Sequence, residues 1–236
     1  MFAAIATFDH RIVLQLNSLV GRYPDFDSAI EFLSENDLKD AIFVTLFWWY
    51  WFRRSNTATT SRTREHLLCT LSAGVLAIFA ARISALTLPF RVRPRFEPAL
   101  HFLVPAGNIS DLVNWSAFPS DHAAMFSAFA VGMCFISWRA GLIALLYSLF
   151  IICLPRIYLG LHYPSDILGG FALGALVSYC VNRLAVRRTC TACLLQWEKA
   201  APGSFYVALF IVSYEYSTMF AGLRAAAEAA VQLASK

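Results

Sequence analysis

The sequence predicts an all-α fold, a polytopic membrane helix bundle with about six transmembrane helices in a single unit. Three observations carry that prediction. Hydrophobic residues make up 58% of the 236 residues and charged residues only 14%, where a soluble domain carries about 25% charged residues. The apolar residues gather into six runs separated by polar or basic turns. The arginines concentrate on one side of those runs. The net charge of +4 comes with no long basic run, so nucleic acid is not an expected partner.

Taken in order, residues 1–38 read as an amphipathic leader in which Asp25, Asp27, Glu31, Glu35 and Asp37 fall close together. Phe26, Ile30 and Leu33 recur at helical spacing, which predicts a short helix at the membrane surface, with a loosely ordered leader as the alternative. The leader lacks a basic n-region and a small-residue cleavage site, so no cleaved signal peptide is expected. The six-span core covers residues 39–222. Its first run, residues 41–52, reaches the roughly 20 residues a bilayer needs only if residues 38–40 lie in the headgroup layer. Trp48, Trp49, Tyr50 and Trp51 read as an interfacial anchor. A basic loop at 53–66 leads to the second run, 67–88, which is interrupted by Arg82. Residues 89–118 form a long polar and aromatic loop with four prolines. Further runs follow at 120–138, 142–154, 167–181 and 205–220, the last carrying Glu215, and an alanine-rich tail closes the chain at 223–236. Cys190 and Cys193 form a lone Cys-x-x-Cys with no second pair, a weak metal or redox signal. The other four cysteines sit in apolar runs as small hydrophobes.

Loops rich in Lys and Arg stay in the cytoplasm. With six spans, the loops at 53–66, 139–141 and 182–204 share that side and hold Arg53, Arg54, Arg62, Arg64, Arg139, Arg183, Arg187, Arg188 and Lys199. The opposite side should be poor in basic residues, yet Arg91, Arg93, Arg95 and Arg156 crowd there. Anion binding is one reason for such a cluster.

Two histidine stretches lie on that same side. In Pro119-Ser120-Asp121-His122, Pro119 and Ser120 suit a helix start, which on its own accounts for them as a cap. His122 then stands in the first turn of a membrane helix, where it is costly to bury without a partner, and where free N–H groups suit phosphate. In the second stretch, Arg156 and His162 lie between apolar runs, Pro164 marks a helix start, and Asp166 falls four residues after His162. An aspartate on one ring nitrogen leaves the other directed outward as a nucleophile or base, although a capping Asp beside a surface histidine has the same spacing. Phosphoryl transfer needs positioning and charge neutralisation, with a nucleophile and an acid in line.

Arg93-Pro94, Pro119-Ser120-Asp121-His122 and Arg156-x5-His162-x3-Asp166, in this order and at these gaps, resemble the three signature motifs of the type 2 phosphatidic acid phosphatases. This lipid phosphate phosphatase superfamily also includes soluble vanadium haloperoxidases. The resemblance spans roughly residues 80 to 182 and fits the family's membrane branch. It implies a single membrane-embedded phosphatase domain over 1–236 that hydrolyses a lipid phosphate or diphosphate. A polyprenyl diphosphate, phosphatidic acid and phosphatidylglycerol phosphate are the candidate substrates. His162 would attack phosphorus to give a phosphohistidine, with Asp166 orienting it. His122 would protonate the leaving oxygen and later activate water. Arg93, Arg156 and Ser120, with Asp121 and Arg91 beside them, would line the phosphate site, and neither a metal nor a cofactor is implied. The implied partners are the lipid phosphate substrate and membrane lipids, and the implied location is the plasma (inner) membrane with the active site facing the periplasm or outside. A lipid-linked phosphotransferase, or a non-catalytic transporter or scaffold on the same fold, is the alternative.

The chain departs from the family pattern at three positions. Leu86 stands where the first motif opens with a lysine, leaving Arg91 or Arg82 as candidates for that charge. Asp121 replaces a glycine and would repel phosphate unless it points away or pairs with an arginine. Pro155 replaces a serine. A charge such as Arg82 inside a span costs about 2.5–3.5 kcal/mol, which favours a side chain snorkelling to the interface over a substitute for the lysine.

Overall fold

Long apolar runs in lipid must satisfy their backbone internally, and helices do so within one segment. The computed structural model describes residues 2–53, 57–104 and 113–223, and among these every regular element is helical. In chain order the helices are α1 (Phe2–Asn17), α2 (Pro24–Glu35), α3 (Leu38–Phe52), α4 (Thr57–Thr87), α5 (Asp121–Cys134), α6 (Trp138–Tyr147), α7 (Leu154–Tyr158), α8 (Pro164–Val181), α9 (Leu184–Ala200) and α10 (Pro202–Ser217). A π-helical stretch, Ser148–Cys153, joins α6 to α7, so that Trp138–Tyr158 runs as one 21-residue rod. The tail beyond residue 223, like Arg54 and Pro105, lies outside the described residues.

The six predicted runs coincide with α3, α4, α5, α6–α7, α8 and α10. Three stretches are long and apolar enough to cross a membrane: Thr59–Thr87, Trp138–Tyr158 and Pro164–Val181. The other three helices, of 15, 14 and 16 residues, fall short of the roughly 20 a bilayer requires. The expected run 120–138 stops at Cys134 because Ser137 caps the next helix, its hydroxyl accepting from the Ala140 amide. Protein replaces lipid around α5. Ala123, Phe126, Phe129 and Met133 are all fully buried, on α4, α6 and α8. A helix wrapped by protein is not held to the bilayer thickness.

Small residues let α8 meet α5 at backbone distance. A Cβ on Gly170 would lie 2.6 Å from the Ser120 carbonyl oxygen, and one on Gly174 would overlap the Ala124 carbonyl. This is the close approach that small-x-x-x-small spacing permits, and it brings the starts of the two helices together. The opposite stripe of α5 packs on aromatics of α3: Phe43 stacks on Phe126 at 4.4 Å and meets Phe129 edge-on at 5.3 Å.

The leader packs against the bundle. Asp9 of α1 is fully buried, Asn17 exchanges two hydrogen bonds with the Leu103 backbone, and the Tyr158 hydroxyl donates to Asp27 of α2. The tryptophan group is only partly an interfacial anchor. Trp49 is 69% exposed, but Trp51 is in the core with its indole N–H on Tyr206. Glu215 faces the turn after α10, where its carboxylate accepts from the Leu223 amide. Cys190 and Cys193 fall in α9, and the side chain of Cys190 is outside those described.

Candidate active site

Three turns on one side of the bundle carry the site. Residues 159–163 join α7 to α8, residues 113–120 lead into α5, and Arg93 precedes a 3-10 turn at Pro94–Phe96. Gly160 makes the first turn possible with φ of +67°, a left-handed conformation suited to glycine. Its carbonyl accepts from the Arg95 amide at 3.0 Å, pinning that turn to the arginine loop. The Ser120 amide donates to the Asp166 carbonyl at 3.2 Å, which ties the start of α5 to that of α8.

His162 is buried at 4% exposure. Its Nδ1 donates to the Ala117 carbonyl at 2.8 Å, while the Asp166 carboxylate stands 3.7 Å from the same nitrogen. The hydrogen bond that orients the ring therefore goes to the backbone, and Asp166 acts on it as a nearby charge. A proton fixed on Nδ1 leaves Nε2 with its lone pair, 3.4 Å from Arg93 Nη1. Burial first, then the charges of Arg93 and Arg156, hold the His162 pKa below the ordinary 6.5 against the opposing pull of Asp166, so the ring is neutral at pH 7.

Arg93 is braced by three carbonyls, those of Trp115, Leu161 and Ser116, at 3.2, 2.8 and 3.5 Å. Burial pushes its pKa down to about 10, and it remains a cation at neutral pH. Arg156 Nη2 donates to His122 Nε2 at 2.5 Å, and its Nε is buried without a partner among the described residues. Ser120 is fully buried, its hydroxyl capping α5 through the Ala123 amide at 3.5 Å.

Two expected phosphate contacts are engaged elsewhere. Arg91 donates to Ser165 at 2.7 Å, Asp166 at 2.5 Å and Asp9 at 2.6 Å, and it lies over the Tyr163 ring at 4.3 Å. Its charge balances two buried carboxylates, and the turn before α8 is thereby locked to α1. Asp121 pairs with Arg82, whose guanidinium covers the Trp115 ring at 4.5 Å. That pair gives the Arg82 charge a partner and removes the repulsion a lone Asp121 would exert on an anion. Asp9 was missed from sequence because nothing local marks one carboxylate in an apolar helix. The Ala117 carbonyl was missed because backbone groups leave no residue signature.

The chain is similar to known proteins over much of its length. The family model described as the PAP2 superfamily matches residues 66–190. The chain is 25% identical over 159 residues to undecaprenyl-diphosphatase BcrC of Bacillus subtilis (strain 168), covering 67% of this chain and 75% of that protein. It is 33% identical over 106 residues to phosphatidylglycerophosphatase B of the same strain, covering 39% of this chain and 45% of that one. A solved structure of a transmembrane PAP2-type phosphatidylglycerolphosphate phosphatase from Bacillus subtilis aligns with a TM-score of 0.49 at 22% identity, over 75% of this chain and 84% of that one. The family match takes in more than half of the chain and contains Arg93, His122, Arg156, His162 and Asp166 together, and the chain belongs to the PAP2 superfamily.

Proposed function

We propose that the chain is a single-domain integral membrane phosphatase that hydrolyses a lipid phosphate or diphosphate through a phosphohistidine on His162. The observation that carries this reading is the His162 ring itself, with Nδ1 held by the Ala117 carbonyl and the Nε2 lone pair beside Arg93. A neutral imidazole so oriented is a directed nucleophile. Arg93 and Arg156 supply fixed positive charge for the equatorial oxygens of the transferring phosphoryl group. An incoming phosphate offers Arg156 a stronger acceptor than the imidazole it now contacts. Once the arginine turns to it, His122 Nε2 is free to take up a proton from solvent, pass it to the leaving oxygen and later activate water. Arg91, Asp9 and Asp166 act as positioning residues that hold the turn before α8. The names of the relatives, an undecaprenyl-diphosphatase and a phosphatidylglycerophosphatase, support an amphiphilic phosphate as substrate. The concentration of arginines in the loops opposite the site supports a plasma-membrane protein whose site faces outward.

The test is phosphate release in detergent from a polyprenyl diphosphate, phosphatidic acid and phosphatidylglycerol phosphate. Release is expected from at least one of them without an added acceptor alcohol. Vanadate should inhibit it and a chelator should not. Dependence on an acceptor alcohol would instead identify a phosphotransferase, and collapse on chelation would overturn the metal-free reading.

The pH profile follows from His162. Its depressed pKa means that the nucleophile is neutral above that value and is lost to protonation only as pH falls through it. The acid limb of kcat/KM assigned to the enzyme is therefore expected below pH 6.5, and a limb at or above 6.5 speaks against His162 as the titrating base.

A further inference from the structure

The first motif lacks its lysine, and a buried lysine stands on another helix. Leu86 is 83% exposed, whereas Lys39, in the first turn of α3, has a side chain only 4% exposed. Lys39 is one of three lysines in the chain, and burial of an ammonium is unfavourable unless the charge is used. Its Nζ donates to the Asn36 carbonyl at 3.1 Å and lies 3.4 Å from the Asp40 carboxylate. An ammonium has three N–H donors, so one has no partner among the described residues. Tyr147 donates to the Lys39 carbonyl at 3.1 Å and fixes this turn against α6.

The packing places Lys39 beside His122. α3 and α5 run in the same direction, two spans apart in the chain, and Phe43 stacks on Phe126. Lys39 precedes Phe43 by one turn, as His122 precedes Phe126, so both stand at one level of the bundle. His122, Phe126, Phe129 and Met133 form one stripe of α5, opposite the Ala124 and Ser127 stripe on which α8 packs. His162, at the start of α8, thus lies on one flank of α5 and Lys39 on the other. Lys39 and Asp40 are within electrostatic range of Arg156, and Lys39 of His122. Two buried atoms there, Arg156 Nε and Asp40 Oδ1, have no hydrogen-bond partner among the described residues.

We propose that Lys39 binds the phosphate of the leaving group, and that the preferred substrate is a lipid diphosphate rather than a lipid monophosphate. The inference rests on His162 as nucleophile and His122 as acid. When a monophosphate ester is cleaved, the group that departs is an alcohol with no charge for an ammonium to hold. When a diphosphate is cleaved, His162 Nε2 bonds to the terminal phosphorus and the bond to the bridging oxygen breaks. The bridging oxygen keeps the electron pair, takes the proton that His122 Nε2 picked up from solvent once Arg156 had turned to the diphosphate, and leaves as part of a lipid monophosphate. Water then splits the phosphohistidine into inorganic phosphate and free His162. Negative charge grows on the departing phosphate during the first step, on the His122 side, where the Lys39 ammonium is preorganised to receive it.

The test uses the full chain in detergent with farnesyl diphosphate and farnesyl monophosphate, which share one tail. Lys39→Met is expected to lower the ratio of kcat/KM for the diphosphate to that for the monophosphate by about 10- to 100-fold, the worth of a charged hydrogen bond. An unchanged ratio, including equal losses on both substrates, overturns the proposal. A second measurement does not depend on the variant folding or on turnover. Calorimetric titration of the wild-type protein with inorganic pyrophosphate and inorganic phosphate should give at least about tenfold tighter binding of pyrophosphate. Equal affinities overturn the proposal, whereas loss of hydrolysis with that preference intact would count against the phosphatase reading alone.

Discussion

His162→Ala is expected to reduce phosphate release by about 10⁴-fold or more while the protein still inserts into the membrane. The magnitude follows from the role: without the imidazole, the arginines still bind phosphate, but water must attack phosphorus directly. Truncation also leaves the Ala117 carbonyl buried without its donor, at a cost of about 1–3 kcal/mol, so the alanine variant alone mixes folding with chemistry. His162→Asn separates the two. Its amide can donate to the same carbonyl, so stability should recover while turnover stays lost. A phosphoenzyme trapped by alkaline quench should form in the wild type and in neither variant. Turnover within tenfold of wild type in His162→Asn would overturn the phosphohistidine mechanism.

His122→Ala is expected to show a loss that depends on what leaves. The effect is read as kcat/KM, which covers events up to departure of the leaving group. For a lipid monophosphate, whose alcohol needs a proton, the fall should be about 10²- to 10⁴-fold. For an aryl phosphate with an acidic phenol the leaving group needs no proton, and the loss should shrink to less than about tenfold. A diphosphate should fall between them, because its leaving group is a phosphate rather than an alkoxide. Equal losses on all three would assign His122 to binding instead of proton transfer. Because Arg156 now contacts His122 Nε2, the alanine variant also releases that arginine, and a lowered inhibition constant for vanadate would report its new freedom.

The helices were legible because lipid imposes a simple rule: apolar runs of sufficient length become helices, and each predicted run has one. Their ends were less legible. The run ending at residue 138 was read too long because its apolar residues continue past Cys134, whereas Ser137 restarts the chain as a cap. Trp51 was read as interfacial because composition does not show that α10 covers it. The leader was read as amphipathic because Phe26, Ile30 and Leu33 recur at helical spacing among carboxylates that look solvated in one dimension. In the fold, Asp9 is sealed against Arg91 and Ser165.

The motif residues likewise divide between what spacing shows and what contact decides. The order of Arg93, Ser120, His122, Arg156, His162 and Asp166 was enough to suggest a phosphoryl-transfer site on one face of a membrane bundle. Which nitrogen of His162 is open depends on the Ala117 carbonyl, and which carboxylates are neutralised depends on Arg82 and Arg91 reaching Asp121, Asp9 and Asp166. Those partners are 39 to 82 residues apart in the chain, apart from the shorter loop contacts. Periodicity reads only neighbours along one helix, so the amino-acid order determined the class of protein and its reactive residue types. Packing of α1, α3, α5 and α8 against one another determined the protonation, the pairing of charges and the position of Lys39 beside His122, because electrostatic energy depends on distance in space and not on separation in sequence.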